Sequence, residues 1–347
     1  MKGKVVVGMS GGVDSSVVAY LLKKQGYEVI GLFMRNWEEG EDCPAEADHQ
    51  DVVNVAAHLG IPFYTVNFTR EYKDLVFKDF VEQSLKGLTP NPDILCNREI
   101  KFNLLYQKAK ELNADFLATG HYARVSPQHE LLKGLDPNKD QSYFLYTIKD
   151  HLLKNVLFPI GDMPKNEVRQ LAKEAGISTH DKDDSTGICF IGERDFREFL
   201  SNYIPVTKGP ILSLEGKKMG EHMGIAFYTL GQRKGLNIGG AGEPWFVVDK
   251  DVKNNTLIVA QGFDHPALFS KSLTADTLSF VGVEPPQRCF SKVRYRQSDK
   301  PCTVEIKEGV AHVTFDEPQR AVTPGQSIVF YDSDVCFGGG IITSRSP

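Results

Sequence analysis

The chain has 347 residues, 41% of them hydrophobic and 24% charged, with a net charge of −5. That length favours two or three domains over one core. The acidic balance excludes indiscriminate nucleic-acid binding through a wholly basic surface, but leaves room for a local basic track. No apolar run approaches the ~20 residues that span a bilayer, and MKGKVVVGM enters a strand directly with no room for a signal peptide. A cytoplasmic protein without membrane contact is therefore expected. Of the six cysteines, at 43, 96, 189, 289, 302 and 336, none forms a CxxC pair. No structural zinc site is expected, and in a reducing compartment most should be free thiols.

Val5, Val6 and Val7 read as a short strand buried on both faces. Gly8-Met9-Ser10-Gly11-Gly12 follows with almost no side chain, and Val13, Val17, Val18, Leu21 and Leu22 then repeat at helical spacing. Strand, glycine turn and helix N-terminus aim amides at one positive spot, which suits a phosphate. The loop is not a Walker motif, because no lysine stands between Lys4 and Lys23, and it is not GxGxxG. Ser10 to Ser15, S-G-G-x-D-S, instead resembles the pyrophosphate loop of ATP pyrophosphatases, which split ATP into AMP and pyrophosphate.

Strands then alternate with helices to about residue 200. Glu28 to Met34 and Pro62 to Phe68 are expected strands, and Asn36 to Ala47 an acidic loop. Helices are expected at Val52 to Leu59, at Glu71 to Leu85 (with Leu75, Phe77, Phe80, Val81 and Leu85 available for burial) and at Asn97 to Leu112. Phe116 to Tyr122 is the next expected strand. This alternation predicts an α/β domain with a doubly wound parallel sheet, whose ligands bind at the carboxyl ends of the strands. The glycine loop, Met34 and Gly120-His121 all fall at such ends. Beyond about 205, turns and β-branched residues dominate. We read residues 1–203 as the catalytic domain, 204–271 as a small β-rich connector and 272–347 as a β-barrel, with CTVEIKEGVAHVTFDEP as a hairpin around Glu308-Gly309 and VRYRQ as a further strand.

Two cysteines have suggestive settings. Cys96 follows the proline-braced stretch Thr89 to Asp93, and with Asn97 as helix cap it would sit at a helix N-terminus near Arg98 and Lys101, where a thiolate is favoured. Cys189 lies in DDSTGICFIG, where packing and reactivity are equally compatible with its neighbours. Cys43, Cys289, Cys302 and Cys336 read as structural or incidental thiols. Asp181 to Asp184, with Lys182, reads as an acidic surface run that would also help order the Cys189 loop. Arg288, Lys292, Arg294, Tyr295 and Arg296 put four cations and an aromatic within nine residues, either as a solvated strand face or as an RNA contact. Gln232, Arg233 and Lys234 form a polar-basic turn.

SGGVDSS, TPNPDILCNREIKF, ATGHYAR, DQSYFL, DSTGICFIG, GQRKGL and VRYRQ, in this order across nearly the whole chain, resemble the bacterial tRNA-specific 2-thiouridylases. The resemblance implies that Gly8, Met9, Ser10, Gly11, Gly12, Val13, Asp14 and Ser15 hold the ATP phosphates, with Met34 and Gly120 also contacting the nucleotide. It implies that Asn91, Pro92 and Asp93 meet the target base, that Cys96 is the nucleophile and that Cys189 carries a persulfide. His121, Lys139, Asp140, Gln141, Arg294, Tyr295 and Gln326 would contact tRNA. The implied reaction uses ATP with Mg2+ and no tightly bound metal or organic cofactor. It makes 2-thiouridine at the wobble position of tRNAs for Lys, Glu and Gln, with sulfur from a cysteine desulfurase or relay protein. A monomer is the default. Two other readings stay open at this level: another ATP pyrophosphatase, such as an argininosuccinate- or GMP-synthetase-like ligase, and a non-catalytic RNA-binding protein.

Overall fold

The computed structural model describes residues 2–38, 44–184 and 195–347. Strands β1 (Lys4–Met9), β2 (Glu28–Arg35), β3 (Phe63–Asn67) and β4 (Phe116–Ala118), with Val156–Leu157 at the edge, form one sheet in the order β3-β2-β1-β4-Val156–Leu157. All neighbouring pairs are parallel. Helices cover both faces, and the period of two divides β1 between them. Val5, Val7 and Met9 join a core with Val17 and Val18 of helix α1 (Val13–Lys24), Val52 and Val55 of helix α2 (Pro44–Leu59), and Val168 of helix Lys165–Glu174. Val6 joins the opposite core with Phe77, Phe80, Ile100 and Leu105. Strand order reverses direction between β1 and β4, which opens a crevice at their carboxyl ends. The loops after β1 and β4 flank that crevice.

Several local expectations change. Helix α2 begins at Pro44, inside the stretch read as a loop, because proline suits a first helical turn. The strand expected to reach Tyr122 ends at Ala118. Residues 123–133 then form an unforeseen hairpin, Ala123–Val125 with Leu131–Lys133. Leu75 and Leu85 are 42% and 49% exposed, and the buried hydrophobic stripe of that helix runs instead through Tyr72, Val76, Phe77 and Phe80. VRYRQ is a turn after strand Arg288–Lys292 rather than a strand.

Four strands, Trp245–Asp251, Thr256–Gln261, Gly209–Ser213 and Lys218–His222, make the connector sheet in that order. Six more, from Phe269–Phe280 to Val335–Ser346, close into a barrel when the last pairs with the first. The expected hairpin turn is present, with both Glu308 (φ +50°) and Gly309 (φ +78°) left-handed, as a two-residue turn of matching twist requires. The hairpin at residues 123–133 reaches the barrel through Leu132 opposite Val335.

Both smaller units dock on the stretch that precedes Cys96. From the connector, the Lys250 ammonium donates to the Gly87 carbonyl (3.1 Å). From the barrel, the Pro324 carbonyl accepts from Thr89 N–H (3.1 Å), and the Gln326 amide donates to the Thr89 carbonyl (2.7 Å). Deeper in the interface, Lys292 and Asp140, 7% and 5% exposed, form an ion pair at 3.1 Å. Asp140 also accepts from the N–H groups of Gly134 and Ser142. By contrast, Arg288 pairs with Asp316 in solvent. Lys292→Met therefore strands a buried carboxylate and should lower the unfolding free energy by about 3–5 kcal/mol. Arg288→Met should leave the melting temperature nearly unchanged. Denaturant and thermal unfolding of the two variants would check this contrast.

Candidate active site

Gly12 precedes α1 in an extended conformation (φ −92°, ψ 168°) and offers no side-chain cap. The first-turn amides of α1 are thus left for an anion rather than spent on a capping oxygen. Ser15 Oγ accepts from Ser10 N–H (3.1 Å), which closes the loop on itself. Gly11 (φ +79°) lies so near the Asp48 backbone that a Cβ would stand 2.5 Å from its carbonyl oxygen. A Cβ on Gly120 would stand 2.9 Å from Ser15 N. Glycine is therefore what lets the loop after β1 lie against α2, at Gly11, and the loop after β4 lie against the start of α1, at Gly120. Met9 and Val13 are buried in the core, so only their backbone faces the loop. Met34 is half-buried at the end of β2, opposite Val66.

Asp14 is held from two sides. Its Oδ1 accepts from Tyr122 Oη (2.8 Å), and Lys165 Nζ lies 2.7 and 2.8 Å from its two oxygens. Burial, and then the Asp14 charge, push the Tyr122 phenol far above its ordinary range, so it stays a donor. Lys165 also reaches Asp184 Oδ1 (2.8 Å). Asp184 takes further bonds from Lys139 (2.6 Å) and Arg169 (2.9 Å). Burial opposes its charged form, but the hydrogen bonds and charges of Lys139 and Lys165 prevail and hold the carboxyl at about 2. Lys182 joins the Gly11 carbonyl to Asp48 and Asp51 on α2. The run from Asp181 to Asp184 is thus not a plain solvated face: two of its four residues are built into the surroundings of the glycine loop.

Cys96 is 2% exposed and buried. Its helix starts earlier than expected, at Pro92, with Asn91 as the cap whose side chain accepts from Asp93 N–H (3.1 Å). Cys96 opens a π-helical stretch, Cys96–Leu105, that continues the same helix. Asn97 is interior, and its amide donates to the Phe144 carbonyl. Cys96 lies past the first turn, where the dipole field fades. Arg98 is paired with Glu99 (2.7 Å) and Lys101 faces His121 (3.3 Å), so neither cation is committed to the thiol as the sequence suggested. Asp93 precedes Cys96 by three residues, on the same helix face. Burial raises its pKa against the lowering effect of Lys101. Cys189 and Cys43 lie outside the described residues.

The expected RNA-contacting residues divide sharply. His121 is buried. Lys101 can only donate, so Nε2 accepts and Nδ1–H donates to Thr119 Oγ1 (2.8 Å). Burial, then Lys101, hold its pKa well below the ordinary value, so the ring is neutral at pH 7. Gln141 pairs with the Tyr122 backbone through both N–H and side chain. The Arg294 guanidinium donates to the carbonyls of Leu230 and Ala321, tying connector to barrel. Tyr295 stacks beside Phe144, with ring centroids 4.4 Å apart. Gln326 is spent on Thr89. Arg233, Lys234 and Arg296 are exposed. Lys165, Tyr122 and Arg169 had no assigned role from sequence, and Lys182 and Asp184 were read only as part of an acidic run that would help order the Cys189 loop. Lys165 stands in an ordinary amphipathic helix 151 residues from Asp14, so no local pattern marks it.

Residues 3–193 match the family model described as the tRNA methyl transferase HUP domain. Residues 197–261 match the tRNA methyl transferase PRC-barrel domain, and residues 270–342 the aminomethyltransferase beta-barrel domain. The tRNA-specific 2-thiouridylase MnmA of Protochlamydia amoebophila (strain UWE25) is 57% identical over 99% of this chain and 94% of its own length. The chain belongs to the tRNA-specific 2-thiouridylase family. The thiouridylases of Listeria monocytogenes (strain ATCC BAA-679 / EGD-e), at 54% over 98% of this chain and 94% of that protein, and Geobacillus kaustophilus (strain HTA426), at 55% over 98% and 95%, agree.

Two outcomes test this thiouridylase site. Gly120→Ala should push Ser15 and Asp14 out of place and raise the KM for ATP at least ~10-fold, equivalent to about 1.4 kcal/mol, with circular dichroism unchanged. Asp184 is held below the ordinary carboxylate pKa, so its stabilising effect is complete above about pH 4 and is lost as pH falls toward 2. Asp184→Asn should flatten this part of the acid-unfolding curve, read by urea midpoints between those pH values.

Proposed function

We propose that this protein thiolates C2 of the wobble uridine of tRNA, consuming ATP and releasing AMP and pyrophosphate. The observation that carries this reading is the 54–57% identity, over 98–99% of the chain, to proteins named tRNA-specific 2-thiouridylases. The loop from Gly8 to Ser15, with free helix amides at the crevice between β1 and β4, supports an ATP site. The uracil C2 oxygen is a poor leaving group. Its attack on the α-phosphate of ATP makes it an adenylate and expels pyrophosphate. The loop amides and Lys165 receive that departing charge, Lys165 supplying the cation that the loop itself lacks. Magnesium arriving with ATP would offset the charge of the leaving group; Asp14 is the loop carboxylate that would hold it, in exchange for the Lys165 ammonium that both of its oxygens now bind.

Sulfur then replaces AMP at C2. In the proposed step the Cys96 thiolate attacks the Cys189 sulfur of a Cys189 persulfide. The Cys96–Cys189 disulfide forms, hydrosulfide leaves, and it adds at C2 as AMP departs; an external reductant reopens the disulfide. Asp184 precedes Cys189 by five residues, so the cluster of Lys139, Lys165 and Arg169 ties the entrance of that segment to the nucleotide loop. Asn91, Pro92 and Asp93, at the head of the Cys96 helix, receive the uridine, which must be flipped out of the anticodon loop at a cost of a few kcal/mol. Residues 1–203 form the catalytic unit, while 204–271 and 272–347 grip the tRNA, with exposed Arg233, Lys234 and Arg296 as the basic contacts. tRNAs for Lys, Glu and Gln, a cysteine desulfurase or relay donor, a monomeric state and a cytoplasmic setting complete the reading.

Incubation of tRNA with protein, ATP-Mg and sulfide, followed by nucleoside mass analysis, should show sulfur replacing oxygen only when ATP is present. With a persulfide donor instead, Cys96→Ser and Cys189→Ser should reduce 2-thiouridine to background while pyrophosphate release persists. Wild-type thiolation by Cys189→Ser would overturn the persulfide route. Lys165→Met should lower kcat for pyrophosphate release roughly 10²-fold.

A further inference from the structure

Cys289 and Cys302 lie directly opposite each other on antiparallel strands Arg288–Lys292 and Lys300–Lys307 of the barrel. Their sulfurs are 3.8 Å apart. Both side chains are buried, among Val304, Phe315, Ile328 and Phe330. Opposite residues of an antiparallel pair have Cα atoms roughly 4.5–5.5 Å apart, inside the ~4.4–6.8 Å that disulfides span. Closing to a bond of about 2.0 Å therefore asks for side-chain rotation and little backbone movement. The sulfurs already form a hydrogen-bonded pair. The bond to Cys302 and burial both raise the Cys289 pKa, while the same bond lowers that of Cys302 against burial. Cys302 is thus the readier thiolate. Cys336 is the contrast: it belongs to a different core cluster, and burial pushes its thiol up to about 12.

We propose that Cys289 and Cys302 are a redox modification site, a dithiol that small peroxides convert to a cross-strand disulfide. The Cys302 thiolate attacks one peroxide oxygen; the O–O bond breaks, leaving a sulfenic acid and, after protonation, water. Cys289 then attacks that sulfur. The S–S bond forms, the S–O bond breaks, and the leaving hydroxide takes the Cys289 proton as a second water. Two thiols lose two electrons, and one peroxide becomes two waters. The dry surroundings favour an oxidant of water-like size over a bulky disulfide. The bridge closes the foot of the hairpin whose outer turn carries Arg294 and Tyr295, on the strand that holds Lys292 against Asp140. It involves neither Cys96 nor Cys189, so it stands apart from the sulfur-transfer reading.

The test uses the full chain treated with hydrogen peroxide, alkylated in denaturant and digested with trypsin without reduction. Peptides 289–292 and 297–307 should appear joined, two hydrogens lighter than their sum, and dithiothreitol should separate them. The joined form should also melt at a higher temperature, because the bridge restricts the unfolded chain. Cys289→Ala removes the bond that favours the Cys302 thiolate, so after peroxide no joined peptide should form and Cys302 should remain fully alkylated in denaturant. Full alkylation of both cysteines after peroxide, or oxidation of either to sulfinic acid with no joined peptide, would overturn the proposal. The wild-type mapping decides the matter even if the variant fails to fold.

Discussion

The glycine loop proposed to hold phosphate has no lysine of its own, and Lys165 brings a cation to it. Its ammonium bridges Asp14 of the loop and Asp184, which stands just before the Cys189 segment. One positive charge thus serves two carboxylates, while Lys139 and Arg169 share the second. The arrangement places a compact, partly desolvated cation beside the loop proposed to hold phosphate. On the proposed reading, Asp14 and an incoming phosphate compete for the same ammonium, which would link nucleotide binding to the anchoring of Asp184.

The second organising contact is the grip of the smaller units on residues 87–89. Lys250 from the connector and Pro324 and Gln326 from the barrel bind backbone groups of this short stretch. Gly325 permits the approach, since a Cβ there would stand 2.7 Å from Thr89 N. The stretch leads within a few residues to the Asn91 cap and the Cys96 helix. The units proposed to hold the tRNA therefore also set the position of the residues proposed to receive its uridine.

Charge accounting separates structural cations from available ones. Lys292 neutralises a buried aspartate, Arg294 satisfies backbone carbonyls of two units, and Arg288 is paired at the surface. A basic cluster in sequence thus became mostly interface glue. With a net charge of −5, RNA affinity must come from a few exposed side chains placed on one track rather than from a general positive field.

Local patterns sufficed for the alternation of strands and helices, the glycine loop at a helix N-terminus and the hairpin at Glu308-Gly309. Each depends on neighbours in sequence: hydrophobic period, missing side chains, left-handed turn residues. The same patterns misplaced the start of the Cys96 helix, because Asn91 and Asn97 are both competent caps and only the packing of Pro92 and Ile94 selects the earlier one. They gave no sign of Lys165, whose significance comes from being folded against a residue 151 positions away. Nor could they pair Cys289 with Cys302, since strand register fixes which side chains face each other. The order of residues determined what each segment could be. Tertiary structure decided which charges meet, because attraction between ions depends on distance and burial, and neither is written along the chain.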